Sequence, residues 1–426
     1  MIKKNRILFL VGILFFAFFL LLADKIIFKP DSQIEKEYRY LSIFSEVVAQ
    51  VKTNYVEEIN PTEKFPGAFS AMLSSLDPFS AYLDVDKTKR YQAYQSGRYC
   101  DCGIYGAKIQ NYFFITDVIP DSPADRAGLK HGDMIKAVNG KSLYSHSFWE
   151  MYLSLLSPEP QNIQLSLFKK NSRDTKKFEL KTCFMNRQTT ITPIQKDILL
   201  IKLTRFDAAA AALLKKQLTI YSANRVYSTN QDIKNKPLKL IIDLRSYSGG
   251  DLESFKQITR LFFKNKIALF LQQKKEKKAI FPGVEEKNIP EYKAVVIINS
   301  STRLYGELFA AILRVPQRVQ KKQEVETLSS KKEGPAVQEG LGRQVTLIGT
   351  ATQGFIAQLI QVPLEDESSI LLTDGLFQLN GNPTASKRIK PDIIIKNAED
   401  YKRIMDNCIS IFDHDTAPVN PVTEKK

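Results

Sequence analysis

The sequence is poor in the residues that most metal, redox and nucleotide chemistry relies on. It has three histidines, four cysteines and one tryptophan in 426 residues. His131, His146 and His414 are scattered, and none stands at metal-ligand spacing from a cysteine. Cys100-Asp101-Cys102 is too tight for a zinc knuckle, and no second pair of ligand spacing accompanies it. Cys100, Cys102, Cys183 and Cys408 therefore read as unpaired, partly buried thiols. There is no glycine-rich phosphate loop, so neither a metal nor an organic cofactor is expected. The formal charge of +15 comes from 61 basic and 46 acidic residues, but the excess is dispersed. Clusters such as Lys274-Lys275-Glu276-Lys277-Lys278 lack the interleaved aromatics of a nucleic-acid reader, so nucleic acid is excluded as a partner.

Long hydrophobic runs are also scarce, with one exception. Residues 7–23, ILFLVGILFFAFFLLLA, follow the basic residues Lys3, Lys4 and Arg6. The run reaches the lower limit for one spanning helix, and no Ala-x-Ala cleavage site follows. Residues 1–30 thus read as an uncleaved signal anchor. The chain would cross the cell inner membrane once, with its main body on the exported, periplasmic side. The remainder, within an overall 43% apolar and 25% charged composition, has enough apolar residues for two or three packed cores.

The chain is organised around residues 293–313, KAVVIINSSTRLYGELFAAIL. Ala294 to Ile298 form an apolar, β-branched run, which reads as a buried strand. Asn299, Ser300, Ser301 and Thr302 make a turn, with the serines and threonine expected as helix caps. Glu307, Leu308, Phe309, Ile312 and Leu313 then fall at helical spacing. A strand, a tight turn and a helix is how an α/β sheet presents a nucleophile, with helix N–H groups facing a developing oxyanion. Upstream, periodicity predicts helices over residues 38–55 and 65–76, the second stopped by Asp77-Pro78. Short strands follow, among them residues 113–119, around Ser122-Pro123-Ala124, Ala127-Gly128-Leu129, Gly132-Asp133 and Asn139-Gly140. Beyond residue 188, strands (198–203, 238–244, 294–298, 344–349, 356–362, 370–372) alternate with helices (208–223, 252–263, 307–313), which predicts an α/β layer fold.

Four motifs carry a family resemblance. They are Ser75-Leu76-Asp77-Pro78 with Ser80 and Tyr82; the Ser-Pro-Ala to Asn-Gly series; residues 240–250, LIIDLRSYSGG; and Asn299 with Glu307. Together they resemble the C-terminal processing (tail-specific) serine proteases, over roughly residues 41–395. The resemblance implies a crotonase-like protease core with an inserted PDZ domain and an N-terminal helical segment. It places segments as follows: helical region 31–96, PDZ-like domain 97–187, protease-like core 188–415 with an inserted loop at 316–343, and a polar tail at 416–426. The family's nucleophilic serine falls on Leu304 and its lysine base on Gln353. Neither side chain can do that chemistry. Gly249 and Gly250 fall where the family places an oxyanion donor, and Gly103, Ile104, Tyr105 and Gly106 where its PDZ domain binds a peptide carboxylate. Asp243 and Arg245 read as structural.

Three functional readings follow. One is an exported, membrane-anchored pseudoprotease that binds protein or peptide C-termini or partner proteins. The second is a working serine peptidase that cuts near C-termini with a displaced nucleophile, Ser301 or Ser300, and a base such as Lys322. The third is a regulatory subunit that pairs with a competent homologue.

Overall fold

The computed structural model describes residues 32–170, 172, 174–195, 197–226, 237–262, 269–281, 292–315, 345–354, 356–379, 382–383, 388–395 and 401–413. The apolar run 7–23, the loop at 316–343 and the tail 416–426 lie outside them. Among the described residues no helix is long and apolar enough to cross a membrane.

The chain divides into two compact units, residues 1–67 and 68–426. The first contains the helix Ser32–Asn54 and the start of the helix Pro61–Ser74. Both expected helices are present. The apolar positions at four-residue spacing do not form a buried stripe, however: Ile43, Val47, Val51 and Tyr55 are 45%, 54%, 44% and 57% exposed.

In the second unit, the turn after Pro61–Ser74 is fixed by one carboxylate. Asp77 accepts from the backbone N–H of Phe79 and Ser80 and from the Ser80 hydroxyl, at 2.6–2.7 Å. This delivers the strand Ala81–Leu83 to its antiparallel partner Ser369–Leu379. The helix Val85–Ser96 follows, capped by Asp84.

The PDZ-like sheet runs Ile104–Ile109, Tyr112–Val118, Met134–Val138, Asn162–Phe168, Thr175–Lys181, antiparallel throughout. Ile104–Ile109 is its end strand. The helix Phe148–Leu153 lies beside that strand. It starts with a capping box between Ser147 and Glu150, and all six of its side chains are buried.

The core sheet runs Thr190–Gln195, Ile198–Lys202, Leu238–Asp243, Tyr292–Ile298, Val345–Gly349, Ile393–Ile394, parallel after the first pair. The central strand explains its own sequence. Val296 and Ile298 face the cluster covered by the helices Ala208–Val226, Leu252–Arg260 and Leu304–Leu313. Val295 and Ile297 face the cluster that holds Ile404, Met405, Cys408 and Phe412 of the helix Tyr401–Asp413. A strand covered on both sides needs an unbroken apolar run. A second sheet is built on Ser369–Leu379, which pairs with Ala357–Pro363 and Leu269–Gln273. The reading of 370–372 as a short strand stops too soon, because Thr373, Asp374 and Gly375 interrupt the apolar pattern while the backbone pairing continues.

Candidate active site

The turn after the central strand closes on itself. The Asn299 side-chain oxygen accepts from Ser301 N–H at 2.9 Å, and its backbone oxygen from Thr302 N–H at 3.0 Å. The Thr302 hydroxyl accepts from Asn299 N–H at 3.1 Å and donates to Leu244 O at 3.0 Å, which ties this turn to the neighbouring loop. Arg303 is extended, Leu304 takes φ +49°, and the helix Leu304–Leu313 begins there. Left-handed backbone at a branched residue costs on the order of 1–3 kcal/mol and persists where the surroundings enforce it. The position expected from the resemblance to hold a nucleophile is thus a left-handed turn that carries an isobutyl side chain. The Leu304 side chain packs against both the core and the PDZ apolar clusters.

Two expectations at this turn are corrected. The helix starts at Leu304, not Glu307. Its N-cap is Arg303, with no side-chain cap bond, so Ser300, Ser301 and Thr302 are not caps. Ser301 is 0% exposed, and its hydroxyl pairs with the hydroxyl of Thr116 on a PDZ strand. That partner is no base. Lys322 lies outside the described residues.

Glu307 is fully buried and reaches across to the loop that carries Gln353. One of its carboxyl oxygens accepts from the Thr352 hydroxyl and, at 2.9 Å, from Gly354 N–H. Thr350 N–H donates to Ile298 O at 3.1 Å, and Gln353 N–H to Thr302 O at 3.3 Å. The structure thus brings the Leu304 and Gln353 segments side by side. The Gln353 amide is turned toward the PDZ sheet, donating to Lys108 O at 3.4 Å.

Gly249 and Gly250 adopt φ +112° and +145°. A Cβ on Gly250 would lie 2.4 Å from Phe206 O, and one on Gly249 2.9 Å from the Tyr94 hydroxyl. Their loop adjoins the elbow helix, where Tyr247 covers Gly306. Arg205 holds the loop in place, bonding Ser248 O at 2.7 Å and the carbonyls of Tyr94 and Gln95 at the end of the helix Val85–Ser96. Asp243 and Arg245 form a buried pair at 2.8 Å.

The segment 103–106, expected from the resemblance to bind a peptide carboxylate, splits into two parts. Gly103 takes φ +83° in the turn and packs on Ser122, while Ile104 and Tyr105 point into the core at 3% exposure. The Tyr105 ring lies 4.5 Å from the guanidinium of Arg187, which is itself paired with buried Asp101 at 2.6 Å. Gly106 meets the elbow: Arg303, 1% exposed, donates to Gly106 O at 3.4 Å and lies 4.4 Å from the Phe148 ring. Neither Arg303 nor Thr116 stood out in the sequence. The one available signal was an arginine between an apolar strand run and an apolar helix run.

Other reactive groups are quiet. His131 Nδ1 lies 2.9 Å from Thr116 O, and His146 lies 3.3 Å from Glu150; His414 is outside the described residues. Burial favours the neutral form of Glu150, but hydrogen bonds from His146, Ser70 and Ser147 prevail and hold its carboxyl down at about 2. Burial pushes the Cys100 thiol up to about 11, and those of Cys102 and Cys408 up to about 12, so none of the three is a thiolate nucleophile at neutral pH. All four cysteines are free, and among the described residues no group of three or more His, Cys, Asp or Glu could hold a metal ion.

Comparison with known proteins places this geometry in context. Residues 114–161 match the PDZ domain model, and residues 197–320 match the model of peptidase family S41. The chain is similar to the carboxy-terminal-processing protease of Bartonella bacilliformis, 24% identical over 417 residues, covering 94% of this chain and 85% of that protein. It is also similar to the carboxy-terminal processing protease CtpB of Bacillus subtilis, 23% identical over 382 residues, covering 87% of this chain and 69% of the relative. Among solved structures, the photosystem II D1 C-terminal processing protease shares the fold with a TM-score of 0.60 at 16% identity, covering 85% of this chain and 89% of that one.

Proposed function

We propose that this relative of the carboxy-terminal processing proteases, built from a PDZ domain and a family S41 peptidase core, binds protein C-termini without cutting them. The observation that carries this reading is Leu304: the elbow keeps its strained φ of +49°, but its side chain is a hydrocarbon. The amide at position 353 has no basicity to replace a lysine. Loss of either member of a catalytic pair removes most of the rate. The displaced-nucleophile reading gains no support from Ser301, which is fully buried and held by the Thr116 hydroxyl.

The test is binding without turnover. A fluorescein-labelled octapeptide with a free apolar C-terminus is expected to raise anisotropy with the purified chain, and its amidated twin to bind more weakly, since the α-carboxylate is the recognised group. After overnight incubation, mass spectrometry should return the peptide at full length. Cleavage, or equal binding of acid and amide, would count against the reading.

The residues 7–23 support a location as well. In a Gram-negative host the full chain should stay with the inner membrane through alkaline carbonate extraction, with its main body accessible to protease added to spheroplasts. A version starting at residue 31 should be soluble. A full chain found in the carbonate supernatant would contradict the anchor.

A further inference from the structure

The strand Ile104–Ile109 ends the PDZ sheet and pairs with Tyr112–Val118 on one side. Its other edge is where a captured peptide would add as a strand. Two side chains of the protease-like core already donate to that strand: Arg303 Nη1 to Gly106 O and Gln353 Nε2 to Lys108 O, both at 3.4 Å. Gly106 and Lys108 are two residues apart, so their carbonyls leave the strand on the same side. The Arg303 guanidinium also lies 4.4 Å from the Phe148 ring and 5.2 Å from the Tyr152 ring. Both rings belong to the helix Phe148–Leu153 beside this strand. Arg303 therefore fills the space between strand and helix.

We propose that Arg303 and Gln353 are an intramolecular stand-in for the peptide strand, which a C-terminal peptide must displace to dock. The residue before the silent nucleophile position and the residue at the silent base position would thus regulate the binding module. The proposal rests on the reading above that the PDZ domain binds C-termini.

Two features suit a displaceable contact better than a permanent one. Both bonds are long against the usual 2.9–3.0 Å. The Nε and Nη2 atoms of Arg303 are buried without a hydrogen-bond partner, a cost that opening to water would relieve. The Ser301–Thr116 hydroxyl pair is a third tie between the elbow and the PDZ sheet, and it would part in the same movement.

The experiment compares dissociation constants of the fluorescein octapeptide for the full chain in detergent and its variants Arg303→Ala and Gln353→Ala. Arg303→Ala should bind roughly tenfold more tightly than the unaltered chain, and Gln353→Ala should change in the same direction by less, because removing a stand-in raises the fraction of competent protein. Gln353→Ala removes only an amide from a half-buried position, so it serves if Arg303→Ala fails to fold; Trp149, the single tryptophan, reports folding of each. Equal or weaker binding by the folded variants, while the unaltered chain still binds, overturns the stand-in alone. Absence of binding by every form overturns the C-terminus reading as well.

Discussion

Leu304→Ser combined with Gln353→Lys is expected to hydrolyse denatured casein about a thousandfold faster than the unaltered chain, with each single substitution staying at background. Leu304 sits at φ +49° at the first turn of its helix, so a serine there would inherit the raised position without rebuilding the backbone. The facing loop is held by Glu307 through Thr352 and Gly354, so a lysine at 353 would start from a fixed main chain. Gly249 and Gly250 hold φ +112° and +145° in the neighbouring loop, conformations that glycine adopts freely. A serine alone has no proton acceptor and a lysine alone has nothing to activate, so the effect is strongly non-additive. Fluorescent casein measures it, with each protein purified identically and the double variant titrated against a serine-directed inhibitor. Appreciable activity from Leu304→Ser alone would mean that another base serves the site.

Gly349→Ala should be among the most destabilising single substitutions in the molecule, costing more than about 4 kcal/mol. Gly349 ends a central strand at φ +119°, and a Cβ there would lie 2.1 Å from Ile298 O. The clash falls between two paired strands, at the point from which the Asn299 and Thr350 turns both depart. Two backbones cannot move apart without breaking the Thr350 to Ile298 bond that brings the Leu304 and Gln353 segments together. Gly140→Ala is the comparison. It has φ +75° but nothing within 4 Å of its Cβ, so it should cost only about 1 kcal/mol of backbone strain. Urea denaturation read through Trp149 separates the two. A Gly349→Ala protein as stable as Gly140→Ala would mean that the strands approach less closely than described.

How much of this was readable in the chain varies with the range of the forces involved. Ala294–Ile298 was legible as a buried strand because burial on both faces leaves no room for a polar residue. Asp77-Pro78 was legible because a carboxylate bonding the next N–H groups is a local event. Ser301 was misread as a cap for the opposite reason. Its partner Thr116 is 185 positions away, and no local pattern distinguishes a capping hydroxyl from one reaching another domain. Arg303 escaped notice likewise, since its contact with Gly106 spans 197 positions. The apolar positions of Ser32–Asn54 show the limit of periodicity: helical spacing forecast the helix, but Ile43 and Val47 stay exposed in it. That Leu304 and Gln353 fall at the serine and lysine positions of a related motif was visible only by setting the chain beside that motif. The left-handed backbone at Leu304 follows from the packing of the folded chain, which no local sequence pattern announces.

The most direct measurement is the intact mass of the purified chain after incubation with a fluorophosphonate, alongside the Leu304→Ser, Gln353→Lys variant. The unaltered protein should show no added mass, and the double variant one adduct that maps to residue 304. One adduct on the unaltered chain, mapped to Ser300 or Ser301, would show that a displaced nucleophile works and that the site is alive.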